Sequence, residues 1–180
     1  MIPYRFCPMC QHELTPKQIP ENGLERRICT ACRFVQWGNS KPTASGIVVN
    51  AHGEVLLAKR GIEPFYGMWD IPGGFLEAGE HPEEGVKREL WEETGLTVRV
   101  ERLIGVYMDT YGPPPSEDTL NFYYLCHVVR GTIAADDDAE ELRWCDPYHL
   151  PGELAFANAR AAMHDWRKGL AGATSPDAAI

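Results

Sequence analysis

Seven glutamates fall within residues 73–96, GGFLEAGEHPEEGVKRELWEETGL. Carboxylates crowded this closely either coat a solvated helix or share a cation, and their spacing separates the two cases. Pro82 suits a first helical turn and Gly95 a C-terminal stop, which predicts a helix from about Pro82 to Thr94. At about 100° per residue, with Glu89 at zero, Glu93 lies at about +40°, Glu92 at about −60° and Gly85 at about −40°. Three carboxylates and a glycine thus share one face. Like charges four residues apart destabilise a helix by about 0.2–0.5 kcal/mol, so this face is more economical with a divalent cation on it, and Gly85 would leave it open to a metal or phosphate. Oxygen-only ligands suit hard cations such as Mg²⁺ rather than zinc. The remaining glutamates have simpler roles. Glu83 and Glu84 sit in the first turn, where the helix dipole favours anions. Glu84 can pair with Arg88, and Glu77 reads as solvated loop. Val86 and Leu90 form a core stripe beside the acidic face, and Trp91, on the far side, reads as packing.

A second constellation lies near the N-terminus. Cys7-Pro-Met-Cys10 and Cys29-Thr-Ala-Cys32 are two knuckles 18 residues apart, the spacing of a zinc ribbon. Four thiolates close a tetrahedral site, so the expected ion is a structural Zn²⁺ with no open position. So short a module has little core, and the ion would supply its stability. Cys126 and Cys145 lie in apolar, strand-like runs and read as ordinary buried thiols.

These sites must be carried by 180 residues with 44% hydrophobic and 24% charged side chains, a globular composition. No apolar run approaches the roughly 20 residues of a membrane span, and MIPYRFCPMC has no leader pattern, which makes the cytoplasm the expected location. Net charge is −9, unevenly spread: residues 1–41 carry six basic against three acidic side chains. The acidic remainder disfavours nucleic acid as partner and requires a metal if a phosphate-bearing substrate is to be tolerated.

The ribbon is expected over residues 1–38, with two short strands about a turn at Glu21-Asn22-Gly23. ASGIVVNAHGEVLLAKR reads as two strands joined at His52-Gly53. An aromatic loop, EPFYGMWDIPGG, precedes the acidic helix. Two long strand patterns follow, parted by YGPPPSED, then the short strand EELRWC. The segment PGELAFANARAAMHDWRKG reads as a closing helix, and residues 170–180 as a disordered tail.

Gly74, five residues, Glu80, seven residues, Arg88-Glu89-Leu90, one residue, Glu92-Glu93, one residue and Gly95-Leu96 together match the Nudix box at every specified position. The chain from about residue 39 to 169 therefore resembles a Nudix hydrolase domain. The resemblance implies an α/β class fold, an α/β/α sandwich around a mixed sheet, behind the small β ribbon. It implies Mg²⁺- or Mn²⁺-dependent cleavage of a nucleoside diphosphate linked to another group. By position, Glu89, Glu92, Glu93 and the Gly74 carbonyl would hold that metal, with Glu80 and Arg88 orienting the cluster. A general base would come from the box or from a loop, where Glu140 or Glu141 stands against the alternative of a solvated acidic turn. The ribbon-plus-Nudix arrangement resembles the NADH pyrophosphatases and, more closely, the ADP-ribose/FAD pyrophosphatase group. FCPMC, ICTAC, GMWDIPGGFLEAGE and a late LAF carry the second likeness, and the SQPWPFP motif of the NADH group is absent. For substrate, Phe65, Tyr66 and Trp69 offer rings, with core packing as the competing role for Trp69. Arg60 offers a phosphate contact, and Tyr107, Tyr111 and Tyr123 are unranked further aromatics. A homodimer is expected by analogy. Cleavage of NADH or of an NAD cap is one alternative; a non-catalytic sensor or a nucleic-acid-binding module using the ribbon is the other.

Overall fold

The computed structural model describes residues 4–18, 23–114, 116–136 and 138–173. The N-terminal module is a three-stranded antiparallel sheet of β1 (Leu14–Gln18), β2 (Glu25–Cys29) and β3 (Val35–Gln36), with Leu14 opposite Cys29. The two-residue β3 is too short to show a period, and the sequence reading did not include it. The expected turn lies outside the described residues at Glu21 and Asn22. The module's core is Cys7, Leu14 and Cys29 with Phe34 against them.

The larger body is built on β4 (Lys41–Val49), β5 (Val55–Arg60), β6 (Trp69–Asp70), β7 (Gly73–Phe75), helix α1 (Pro82–Thr94), β8 (Thr97–Tyr111), β9 (Glu117–Arg130), β10 (Ala139–Cys145) and helix α2 (Ala157–Ala173). Its sheet runs β10-β5-β4-β9-β8, with β6 on β5 and β7 on β4. The β4–β9 pair is parallel and the other pairs are antiparallel, so the sheet is mixed as expected. Alternation along the strands divides the core. Ala44 and Val48 of β4 pack with Val86 and Leu90 of α1. Ile47 packs on the opposite face with Ala159, Ala162, Met163 and Trp166 of α2. Helix, sheet and helix form the three layers.

Three local features position the site. The β4–β5 hairpin turns at Gly53 (φ 77°) but pairs only at Val49↔Val55 before its arms part, and β6 and β7 occupy the opening. α1 is capped by His81, whose Nδ1 accepts from the Glu83 amide at 3.3 Å. The helix stops at left-handed Gly95 (φ 71°). β8 and β9 run 15 and 14 residues, so the Pro-rich connection is shorter than the pattern suggested. The closing helix starts at Ala157, beyond Pro151 and Gly152, and continues four residues past 169; residues 174–180 lie outside those described. Among the described residues no helix is long and apolar enough to cross a membrane.

Candidate active site

The acidic face of α1 looks into a cavity of about 340 Å³ that opens where β4 and β5 part. Arg88 organises one side of it. Its Nε and Nη2 grip the two Glu80 oxygens at 2.8 Å each, a bidentate pair. Its Nη1 donates to Glu89 Oε1 at 2.8 Å and Glu92 Oε2 at 2.9 Å. The guanidinium holds Glu80 well below the usual carboxylate range, at about 2. Glu84 pairs instead with Lys87, correcting the expected Glu84–Arg88 pair, because Arg88 is drawn toward three other carboxylates.

The remaining box residues converge on the β7 backbone. Glu93 Oε2 accepts from the Gly73 amide at 2.9 Å. Burial, with Glu89, Asp70 and Asp138 nearby, pushes its carboxyl up to about 8. Burial also raises Glu89, against the pull of Arg88. A Cβ on Gly74 would lie 2.5 Å from Glu89 Oε2, so glycine alone lets that carboxylate approach the strand. Gly85 has a different role from the one expected. Its missing Cβ would meet Leu76 Cδ2 at 2.2 Å and Glu80 Oε2 at 3.0 Å, so the space is filled by the Glu80 loop and is not open to a ligand. Trp91 is 61% exposed and does not pack, since it points away from both the sheet and the acidic face.

Several more side chains line the cavity. Asp70 is buried, its Oδ1 lacks a hydrogen-bond partner, and burial pushes it up to about 7. Phe75, Tyr111 and Phe156 supply rings: Phe75 meets Tyr111 edge-on at 5.3 Å, and Tyr111 stacks on Phe156 at 5.8 Å. Tyr123 donates to Asn158 Oδ1 at 3.1 Å. Asn121 accepts from Thr43 at 2.6 Å and donates to Thr119 at 3.0 Å.

Of the expected substrate residues, the cavity wall includes Arg60 but not Phe65, Tyr66 or Trp69. Trp69 is core, 9% exposed, with the Arg143 guanidinium over its ring. Phe65 packs edge-on against Phe156 at 5.1 Å. Tyr66 is exposed and donates to Glu140. Glu140 also faces Lys59 at 3.7 Å, and Glu141 pairs with Arg143 at 2.6 Å. Neither reaches the wall; the register shift between Ala139 and Glu141 leaves Asp138 and Ala139 there. Tyr107 is tied to Asp165 at 2.9 Å, off the wall. Sequence reasoning passed over Asp70, Phe75 and Phe156. The first had a signal: an acid set between Trp69 and Ile71 in a strand-like stretch.

Oxygen donors and a glycine backbone beside them are the donor set of a hard divalent cation. Among the described residues, however, only the four cysteines bring three or more ligand atoms within 4.8 Å of one another, and Arg88 holds Glu89 and Glu92. The second candidate metal centre is the cysteine cluster, whose four sulfurs lie within 4.8 Å of one another. Cys7 and Cys32 sulfurs are 3.6 Å apart, and those of Cys10 and Cys29 3.4 Å. Four sulfurs about 2.3 Å from one tetrahedral ion would stand roughly 3.8 Å apart. Amides of Met9 and Cys32 point at Cys7 and Cys29, and backbone donors draw the Cys29 thiol down to about 6. The cluster can therefore hold a metal ion.

A mixed sheet between two helices, with a carboxylate-bearing helix over the parted strands, defines the Nudix hydrolase class. The NUDIX domain family model matches residues 39–166, and the chain belongs to that family. An ADP-ribose pyrophosphatase from Methanocaldococcus jannaschii is 39% identical over 109 residues, 61% of this chain and 63% of that protein. The NAD-capped RNA hydrolase NudC of Chromobacterium violaceum is 32% identical over 152 residues, covering 83% of this chain and 52% of that one. The chain thus spans between half and two thirds of these relatives. A NUDIX hydrolase from Nitrosomonas europaea superposes with a TM-score of 0.76 at 27% identity, covering 92% of this chain and 94% of its own.

Proposed function

We propose that the protein hydrolyses the pyrophosphate bond of a nucleoside diphosphate linked to a second group, ADP-ribose or FAD, giving two monophosphates. The observation that carries this reading is the placement of Glu89, Glu92 and Glu93 with Gly74 on one wall of a cavity whose other walls carry aromatic rings. Glu89, Glu92, Glu93 and the Gly74 carbonyl would hold Mg²⁺ or Mn²⁺, which when bound supplies positive charge to phosphate oxygens and acidifies water. Glu80 and Arg88 set the loop and helix that carry those ligands. Water attacks one phosphorus, the bridging P–O bond breaks, and a cavity carboxylate takes the proton. Asp138, which lines the cavity where Glu140 and Glu141 do not, would be the loop group for that role. The ribbon cysteines would hold a structural Zn²⁺.

The test is incubation of the pure protein with ADP-ribose, FAD, NADH and NAD-capped RNA, each with Mg²⁺ and with Mn²⁺, with product identification. AMP with ribose 5-phosphate, or AMP with FMN, is expected; cleavage of none of the four would refute the reading. The capped RNA is included because the NudC relative aligns with most of this chain. Its preferential cleavage would favour that second substrate.

A further inference from the structure

The box leaves one buried charge of the cavity without a role. Asp70 is 9% exposed, and its Oδ1 meets no donor in the protein. Its Oδ2 faces Arg60 Nη1 across 4.0 Å, an ion pair too long to be a hydrogen bond. Arg60 is fixed by other contacts. Its Nε donates to the Pro64 carbonyl at 2.7 Å, its Nη2 reaches the Tyr111 hydroxyl at 3.5 Å, and its guanidinium lies over Phe156 at 5.1 Å. An unsatisfied buried carboxylate oxygen costs stability. The fold gains nothing from it, whereas a ligand carrying a hydrogen-bond donor would.

The surroundings indicate what kind of donor. Asp70 and Arg60 share the cavity with Phe75, Tyr111 and Phe156, and the Tyr111 and Phe156 planes are inclined by only 15°. An acceptor beside a donor, bordered by aromatic faces, matches a nucleobase edge. Adenine presents an amino donor next to a ring-nitrogen acceptor. A phosphate would be repelled by Asp70, so Arg60 is better matched to the base than to the phosphate first expected for it.

We propose that Asp70 and Arg60 read the base of the nucleotide substrate: the Asp70 carboxylate accepts from the exocyclic amino group of adenine, and Arg60 Nη1 donates to the ring nitrogen beside it. The inference rests on the nucleotide-hydrolase reading above and names the base that site selects. Asp70 on this account is a specificity residue. It takes no part in breaking the P–O bond.

The test is calorimetric binding to the full chain with its ribbon ion retained, in chelator-free buffer without Mg²⁺ or Mn²⁺, where neither a catalytic metal nor turnover contributes. The probes are ADP-ribose and its analogue with purine in place of adenine, which lacks only the amino group. The unmodified protein should prefer ADP-ribose by roughly tenfold to a hundredfold, the range expected for a hydrogen bond to a charged group. Asp70→Val should bind both probes alike, at the level of the purine analogue, with an unchanged or higher melting temperature. If Asp70→Val does not fold, Asp70→Asn keeps the shape and should shrink the preference to a few-fold. With Mg²⁺ present, either variant should raise KM for ADP-ribose and leave kcat within a few-fold. Equal binding of the two probes by the unmodified protein, or an undiminished preference in the variants, overturns the proposal. So does loss of kcat by orders of magnitude with metal-free binding intact, which would place Asp70 at the reacting atoms. Cleavage of ADP-ribose without an amino preference sinks this inference alone. Absence of both binding and cleavage sinks the functional reading and this inference with it.

Discussion

Glu93 holds its proton in the folded protein under conditions where the unfolded chain has released it. Its carboxyl titrates at about 8 against an ordinary 4.5, so between those values the native state binds more protons than the unfolded one. Stability therefore falls as pH rises through that window and levels off above about 8. Asp70, raised to about 7 from 3.8, adds in the same direction. The metal-free protein should melt at a lower temperature at pH 8 than at pH 5.5, and Mg²⁺ should recover much of the loss at pH 8. Glu93→Gln should flatten the dependence and abolish turnover by orders of magnitude. Thermal unfolding across pH, with and without Mg²⁺, checks this; an equally steep pH dependence in the variant would rule out Glu93 as its source. Glu80 runs the other way. Depressed to about 2 by Arg88, it contributes stability above pH 4.5 that is lost on acidification. Arg88→Gln should lower the melting temperature at neutral pH and weaken Mn²⁺ binding, because Glu80, Glu89 and Glu92 lose their shared clamp. Mn²⁺ titration by electron paramagnetic resonance measures that weakening, and unaltered affinity would reduce Arg88 to a surface cation.

At the level of the element, α1 shows what the sequence can disclose and what it cannot. Its bounds, its acidic face and its Val86–Leu90 stripe follow from local chemistry and a 3.6-residue period, which act within a few turns. Pro82 and Gly95 then mark its ends. The parting of β4 from β5, the Asp138 position and the contact of Gly85 with Leu76 depend on tertiary register, on which alternation along a strand is silent. Trp91 illustrates the same limit, since a large ring opposite an acidic face can pack or lie exposed with the same spacing. The glycines make the point testable. Gly85→Ala gains about 1 kcal/mol in helix propensity, yet its methyl must displace Leu76 and crowd Glu80, costing about 1–3 kcal/mol. The expected net effect is a lower melting temperature together with reduced turnover, since Glu80 anchors Arg88. Gly74→Ala should instead keep most of the stability and lose metal affinity, because its methyl would push the Glu89 carboxylate aside. Melting curves paired with metal titrations separate the two variants, and matching profiles would refute the assignment of different roles.

Across the whole molecule, two sources of order differ in kind. The Nudix body holds two hydrophobic clusters, one on each face of its sheet. Among the described residues, the ribbon's hydrophobic cluster is Cys7, Leu14 and Cys29 with Phe34 against them, so two of its three buried members are cysteines of the candidate metal cluster. A core that small does not offset the conformational entropy of some thirty ordered residues at about 1–2 kcal/mol each, and a metal ion on the cysteine cluster would supply the difference. The donor chemistry separates the two sites, because oxygen ligands suit hard cations and thiolates suit softer ones. Both patterns behind this division, the two C-x-x-C pairs and the box, are local and can be read in the sequence. Cys29→Ser in the full chain should therefore release zinc, measured by a chelating dye, and erase the amide signals of residues 4–36. The body should keep its own melting transition and its Mg²⁺-dependent turnover of a small dinucleotide within a few-fold. Joint collapse of both transitions would mean that the ribbon's metal supports the catalytic body, and the thiolate cluster would then belong to the stability of the active site.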